Sequence, residues 1–151
     1  MTVHYLDDFA VGQIFNTGRL RVTKEEIVAF AGQFDPQPFH LDEEAARQSP
    51  FQGLVASGWH TAGLTMRLMV GGEFKPAGGI LGVGFDNLSW PRPVRPGDEL
   101  HVTSEILEVR PSKSRPDRGL LRVRMTTFNQ NDETVMVFTG NLLVPRRPAG
   151  S

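Results

Sequence analysis

The sequence predicts an α+β fold in which an antiparallel sheet wraps around one long central helix. Two observations predict it. Between Ser57-Gly58 and Gly71-Gly72 lies a stretch carrying Trp59, Ala62, Leu64, Met66, Leu68, Met69 and Val70, which cover most of a helical circumference. A helix that is apolar nearly all round is expected to be surrounded by protein. The second half of the chain then holds four strand-like runs joined by short turns, the pattern of an antiparallel sheet.

Each element has a local signal. An early strand is expected around Phe15 to Val22. Thr23 and Glu26 have the T-x-x-E spacing of a capping box. Ile27, Phe30, Ala31 and Phe34 then recur at i, i+3, i+4 and i+7, so this face of the first helix is expected to be buried. Asp35-Pro36-Gln37-Pro38 stops that helix, because each proline biases its predecessor toward extended backbone. The stretch from Asp35 to His40 reads as a short, proline-stiffened connection, after which Asp42 caps a second helix through Glu43, Glu44, Ala45 and Ala46. Ser57 and Gly58 open the central helix, and Gly71-Gly72 closes it.

The strands are expected at Ile80 to Trp90, Glu99 to Val109 with a bulge near Leu107, Leu120 to Phe128, and Thr134 to Val144. Pro96-Gly97-Asp98 and Asn131-Asp132 supply turns. One domain over residues 1–145 is expected, with 146–151 as a flexible tail.

Composition narrows the function. The chain has 151 residues, 16 of them basic and 17 acidic, for a net charge of −1. That balance exerts no global pull on nucleic acid or an anionic membrane. The absence of cysteine excludes disulfides, thiolate nucleophiles and thiolate metal sites. The opening residues lack a basic region followed by an apolar run, and no stretch is long enough to span a bilayer, so a cytoplasmic protein is expected. No H-x-H, H-E-x-x-H, G-x-G-x-x-G or Walker pattern occurs, so neither a catalytic metal nor a nucleotide cofactor is expected.

The most informative stretch is Phe34-Asp35-Pro36-Gln37-Pro38-Phe39-His40-Leu41-Asp42. Asp35 and His40 stand at the two ends of the stiff connection, where little side-chain freedom is left to lose. A carboxylate and an imidazole held together can bind one water, take a proton from it and return a proton elsewhere. Spacing alone is equally compatible with a turn-starting aspartate and a surface histidine. The second informative stretch, Gly53-Leu54-Val55-Ala56-Ser57-Gly58-Trp59, leads to the N-terminus of the central helix. The N–H groups there lack intrahelical partners, and a substrate carbonyl could approach Gly58 closely. An ordinary Ser57 cap beside a packing glycine fits the same residues.

Asp35-x-Gln37-Pro38-x-His40-x-Asp42-x-x-Ala45 resembles the D-x-N-P-x-H hydratase motif of the MaoC-like dehydratase family, which includes the R-specific enoyl-CoA hydratases. Gly58, eighteen residues after His40, stands where that family has its oxyanion-hole glycine. Asp8-Phe9-x-x-Gly12-Gln13, Phe85, Pro91-x-Pro93-Val94 and Pro96-Gly97-Asp98 resemble further family segments, so the likeness runs from about Tyr5 to about Val144. The resemblance implies a hot-dog fold, a homodimer or larger homo-oligomer, and an acyl-thioester tunnel near the subunit interface. It implies that Asp35 and His40 activate water for reversible hydration of a 2-enoyl thioester, an acyl-CoA, and that the Gly58 N–H polarises the thioester carbonyl. No cofactor is implied beyond the coenzyme A of the substrate. Four departures stand out: Gln37 for Asn, Phe34 for a frequent Gly, Ser57 for a frequent His, and Met66 where some members have Ser.

Gln37, Ser57, Phe39 and Trp59 are the substrate-contact candidates beside the motif, with Phe51, Met66 and Met69 as further candidates for the tunnel lining. Lys113 and Arg115, in the basic loop from Arg110 to Gly119, and Arg92, between two prolines, are candidates for the phosphates of coenzyme A. Two other readings stay open. A hot-dog thioesterase would normally carry a carboxylate on or near the central helix, and Ser57 to Val70 has none. A non-catalytic acyl-CoA-binding subunit would keep the motif for shape alone.

Overall fold

The computed structural model describes residues 2–149. A 3-10 turn at Leu6–Asp8 precedes two short strands, β1 (Ile14–Asn16) and β2 (Leu20–Arg21). Three helices come next: α1 (Lys24–Phe34), α2 (Pro38–Leu41) and α3 (Glu43–Arg47). Then come the central helix α4 (Gly58–Gly71) and strands β3 (Gly82–Ser89), β4 (Glu99–Pro111), β5 (Arg118–Phe128) and β6 (Thr134–Pro145). The sheet is antiparallel with order β1-β4-β5-β6-β3, and β2 also pairs with β4. This is the expected α+β hot-dog architecture.

The core lies between α4 and the inner face of the sheet. At one end Met69 packs with Val102, Ile106, Leu121, Val123 and Met125. At the other, Leu64 packs with Val22, Ile27, Leu54, Leu100 and Val135. Leu68 touches both clusters and joins them. The bulge expected near Leu107 is there: pairing with β5 slips between Ile106 and Glu108. One extra residue inverts the strand's alternation. Leu100, Val102 and Ile106 point inward before it, and Val109 reaches the same core after it.

Five expectations are corrected. The early strand is broken at Thr17-Gly18-Arg19, and the Thr17 hydroxyl takes over the lost ladder position by accepting the Val102 N–H at 2.9 Å. Phe34 is 66% exposed, because α1 ends there and the stripe has no further turn to lean on. The proline-stiffened connection is itself a helical turn, α2, with Pro38 at its first position, where the missing N–H costs nothing. The central helix is not covered on all sides, since Trp59, Met66 and Val70 are exposed. The residues after 145 are not all loose: Arg146 pairs with Asp7 at 2.8 Å and Arg147 with Asp8 at 2.6 Å. The part of the expected tail at 150–151 lies outside the described residues. Among those described, no helix is long and apolar enough to cross a membrane.

Candidate active site

Three short pieces of chain meet at the N-terminus of α4. Asp35 is the C-cap of α1, with φ −152° and ψ 66°, and its own N–H donates to the Ala31 carbonyl at 2.8 Å. The single turn of α2 then lifts His40 back toward Asp35. The extended segment before α4 is tied on both sides: the Val55 N–H donates to Phe39 O at 3.2 Å and the Ala56 N–H to Val94 O at 2.8 Å. It ends in Ser57, whose hydroxyl caps α4 by accepting the Trp59 N–H at 3.2 Å.

The result is a carboxylate–imidazole pair. His40 Nε2 lies 3.3 Å from Asp35 Oδ2, and His40 is buried. His40 Nδ1 lies 2.7 Å from the Val55 carbonyl oxygen. A carbonyl can only accept, so Nδ1 carries hydrogen, and in a neutral imidazole Nε2 presents its lone pair. The contact with a carboxylate oxygen is then attractive only when a proton lies between the two. A pair in this geometry can take up one proton and give it back.

Two further residues fix the carboxylate. The Ser57 hydroxyl donates to Oδ2 at 2.7 Å, and the Gln37 amide donates to Oδ1 at 2.5 Å. The Ser57 bond leads in holding the Asp35 carboxyl below its ordinary range, with Gln37 and the neighbouring His40 adding to it and partial burial opposing it. Gln37 Nε2 and Ser57 Oγ, from two of the substrate-contact candidates, are thus directed at Asp35.

The pair opens into a cavity of about 380 Å³. Phe39, Gly58, Trp59, Thr61, Trp90 and Arg92 are among its lining residues. Phe39 also sets its ring edge-on to His40, with centroids 4.6 Å apart. Arg92 stands at the rim, paired with Glu133 at 3.3 Å. Gly58 is the first residue of α4, so its N–H has no intrahelical acceptor. A Cβ on Gly58 would fall 2.6 Å from the Trp90 ring, and the Trp90 indole N–H donates to the Gly58 carbonyl at 3.1 Å. An indole lies over the Gly58 Cα, so glycine has the packing role here that the sequence left open beside the carbonyl approach.

The structure does not bring every candidate together. Lys113 and Arg115 line a separate cavity with Arg110 and Arg118 at the β4–β5 hairpin. The 13 residues of β4 stand between that hairpin and the site, roughly 40 Å of extended chain. Met69 is wholly in the core, and Met66 lines a second apolar pocket rather than the site. Sequence reading missed the Val55 carbonyl, which carries no side-chain signal, and the Trp90 cover, whose partner is 32 residues away. Among the described residues, no group of three or more His, Asp or Glu side chains could hold a metal ion.

The model of the MaoC like domain matches residues 8–128. The chain belongs to the MaoC-like dehydratase family. A solved MaoC-like dehydratase from Rhodospirillum rubrum is 56% identical, superposes with a TM-score of 0.93, and covers 96% of this chain with 99% of its own. YdeM of Bacillus subtilis, an uncharacterized protein, is 39% identical over 92% of this chain and 96% of its own. The 3-hydroxybutyryl-CoA dehydratase of Methylorubrum extorquens is 31% identical over 97% of this chain and 88% of its own. The pair, the glycine and the cavity of this MaoC-like chain all lie on the matched segment.

Proposed function

We propose that this MaoC-like protein catalyses the reversible addition of water across the 2,3 double bond of an enoyl thioester, with an acyl-CoA as substrate. The observation that carries the reading is the 3.3 Å Asp35–His40 contact, on a cavity that Gly58, the first residue of α4, also lines. Likeness to a 3-hydroxybutyryl-CoA dehydratase supports the thioester class.

A water held in the cavity against both Asp35 and His40 gives up a proton to the pair as its oxygen bonds to C3. The electrons of the double bond move toward the thioester carbonyl, where the Gly58 N–H meets the developing negative charge. The pair then delivers one proton to C2 and returns to its starting state. Dehydration is the same path reversed: the pair removes a proton from C2 and protonates the departing C3 hydroxyl. Hydrolysis of the thioester is the less favoured reading, because α4 carries no acidic residue.

Asp35→Asn and His40→Ala should each lower hydration by about 10²- to 10⁴-fold, followed as loss of the conjugated-thioester absorbance, while thiol release stays at background. Equal turnover by parent and variants would refute the reading. Rapid thiol release by the parent would replace it with a thioesterase. Binding of acyl-CoA without turnover of any enoyl thioester would replace it with a non-catalytic subunit.

The same reading includes a homodimer. β3 ends the sheet order, and its Val83 and Phe85 are exposed together with Leu81 just before it, an apolar edge of the kind that a second copy covers. Light scattering should give the mass of two chains.

A further inference from the structure

The catalytic cavity has an apolar neighbour. A pocket of about 190 Å³ lies between the outer side of α4 and the sheet, lined by Trp59, Ala62, Met66, Phe85, Leu88, Met136 and Phe138. Its lining is apolar throughout. Among the described residues, Trp59 alone borders both this pocket and the cavity holding Asp35 and His40. Trp59, Ala62 and Met66 follow one another at i, i+3 and i+7, so one stripe of α4 runs from the first space into the second.

Trp59 is also held in place. Its ring stands edge-to-face on Trp90, with centroids 5.4 Å apart and planes at 83°. Trp90 is anchored in turn to the Gly58 carbonyl. The two indoles therefore form a wall at the N-terminus of α4, next to the Gly58 N–H that would take the thioester oxygen. An acyl group with C2 and C3 at the Asp35–His40 pair and its polar end at the rim by Arg92 would send its tail inward. The apolar pocket beyond Trp59 is the space chemically suited to that tail.

Building on the hydratase reading, we infer that Trp59 is a specificity-determining residue that confines the site to short acyl chains by closing it off from the apolar pocket. A longer chain must displace the Trp59 indole from Trp90 to enter. Removing the indole joins the two spaces into one channel along α4.

The test compares the parent with Trp59→Ala and Trp59→Val on 2-enoyl-CoA thioesters of four to twelve carbons, together with calorimetric binding of the saturated acyl-CoAs of the same lengths. Trp59 is 58% exposed, so neither substitution opens a void in the core. Each newly buried methylene strengthens binding by about fourfold. The ratio of ten-carbon to four-carbon kcat/KM should rise by at least about tenfold in both variants, and the ratio of binding constants should move with it. Adding Ala62→Phe to Trp59→Ala refills the pocket and should reverse the gain.

An unchanged length profile in an active enzyme overturns the gate and leaves the hydratase reading standing. A parent that already handles ten-carbon chains as well as four-carbon ones also overturns it. If no enoyl thioester turns over, the hydratase reading falls while the binding series still decides the gate: a shifted length preference in the Trp59 variants supports it, and an unshifted one, or no acyl-CoA binding at all, overturns it.

Discussion

Replacing Ser57 with alanine removes one oxygen that serves two neighbours. The hydroxyl donates to Asp35 Oδ2 at 2.7 Å and accepts the Trp59 N–H at 3.2 Å. Ser57 is fully buried and the Asp35 side chain is only 18% exposed, so water does not substitute freely for either bond. A hydrogen bond to a charged group is worth about 1.5–3 kcal/mol, and a serine N-cap about 1 kcal/mol over alanine. Ser57→Ala should therefore cost roughly 2–4 kcal/mol of stability at neutral pH. Ser57→Gly separates the two parts, because glycine is nearly as good a cap as serine. The glycine variant should lose the Asp35 contribution and keep most of the cap.

The sign of the pH effect is set by the direction of the Asp35 shift. The folded state binds the ionised carboxylate better than the unfolded state does. That stabilisation is full above the ordinary carboxylate pKa and disappears as the pH falls through the lower folded value. The parent and Ser57→Gly should accordingly differ most near neutrality and converge in acid, while Ser57→Ala keeps a residual cap deficit. In the pH profile of kcat/KM, the acid limb set by Asp35 should move upward in both variants, because the hydrogen bond that most favours its ionised form is gone. Stopped-flow hydration from acid to neutral pH, beside urea unfolding at matched pH values, measures both. An acid limb that stays where it is in both variants refutes the claim that Ser57 sets the charge state of Asp35.

Other substitutions probe the surrounding structure. Gly58→Ala places a methyl 2.6 Å from the Trp90 ring and must push the indole aside. It should cost about 1–3 kcal/mol in a thermal melt and reduce turnover more than binding, and Trp90→Ala in the same chain should recover part of the stability. His60 is buried against Phe30, with planes 8° apart, and burial lowers its pKa against a smaller opposing pull from Glu26. The unfolded chain takes up that proton first, so stability tied to His60 is present above the ordinary histidine pKa and lost as the pH falls through the folded value. His60→Phe should flatten the parent's decline in urea stability from pH 7.5 to 5.5. An identical decline in both proteins would remove His60 as a cause.

Much of the fold was readable because its signals are local. The Thr23 cap does accept the Glu26 N–H, and β4 and β5 alternate as their sequences predict, down to the slip at Leu107, whereas β6 buries the adjacent pairs Val135-Met136 and Thr139-Gly140. Asp35 and His40 could be singled out because they share nine residues of chain. The features that stayed hidden depend on distant neighbours. Nothing in Phe30-Ala31-x-x-Phe34 says that the last residue has no wall to meet, and the apolar circumference of α4 does not reveal which flank one chain leaves open. The roles of Ser57 and Gln37 as supports of Asp35 depend on rotamers that spacing does not encode. The basic hairpin stood out as a phosphate candidate because charge is visible in sequence, whereas its place at the far end of β4 within one chain is not.

The ion pairs of Arg146 and Arg147 with Asp7 and Asp8 bring the first turn of the chain and the residues after its last strand to one spot. A peptide bridging those ends, with a new opening at the exposed Ser112–Asp117 hairpin, would give a circular permutant in which Asp35, His40 and Gly58 keep their mutual positions.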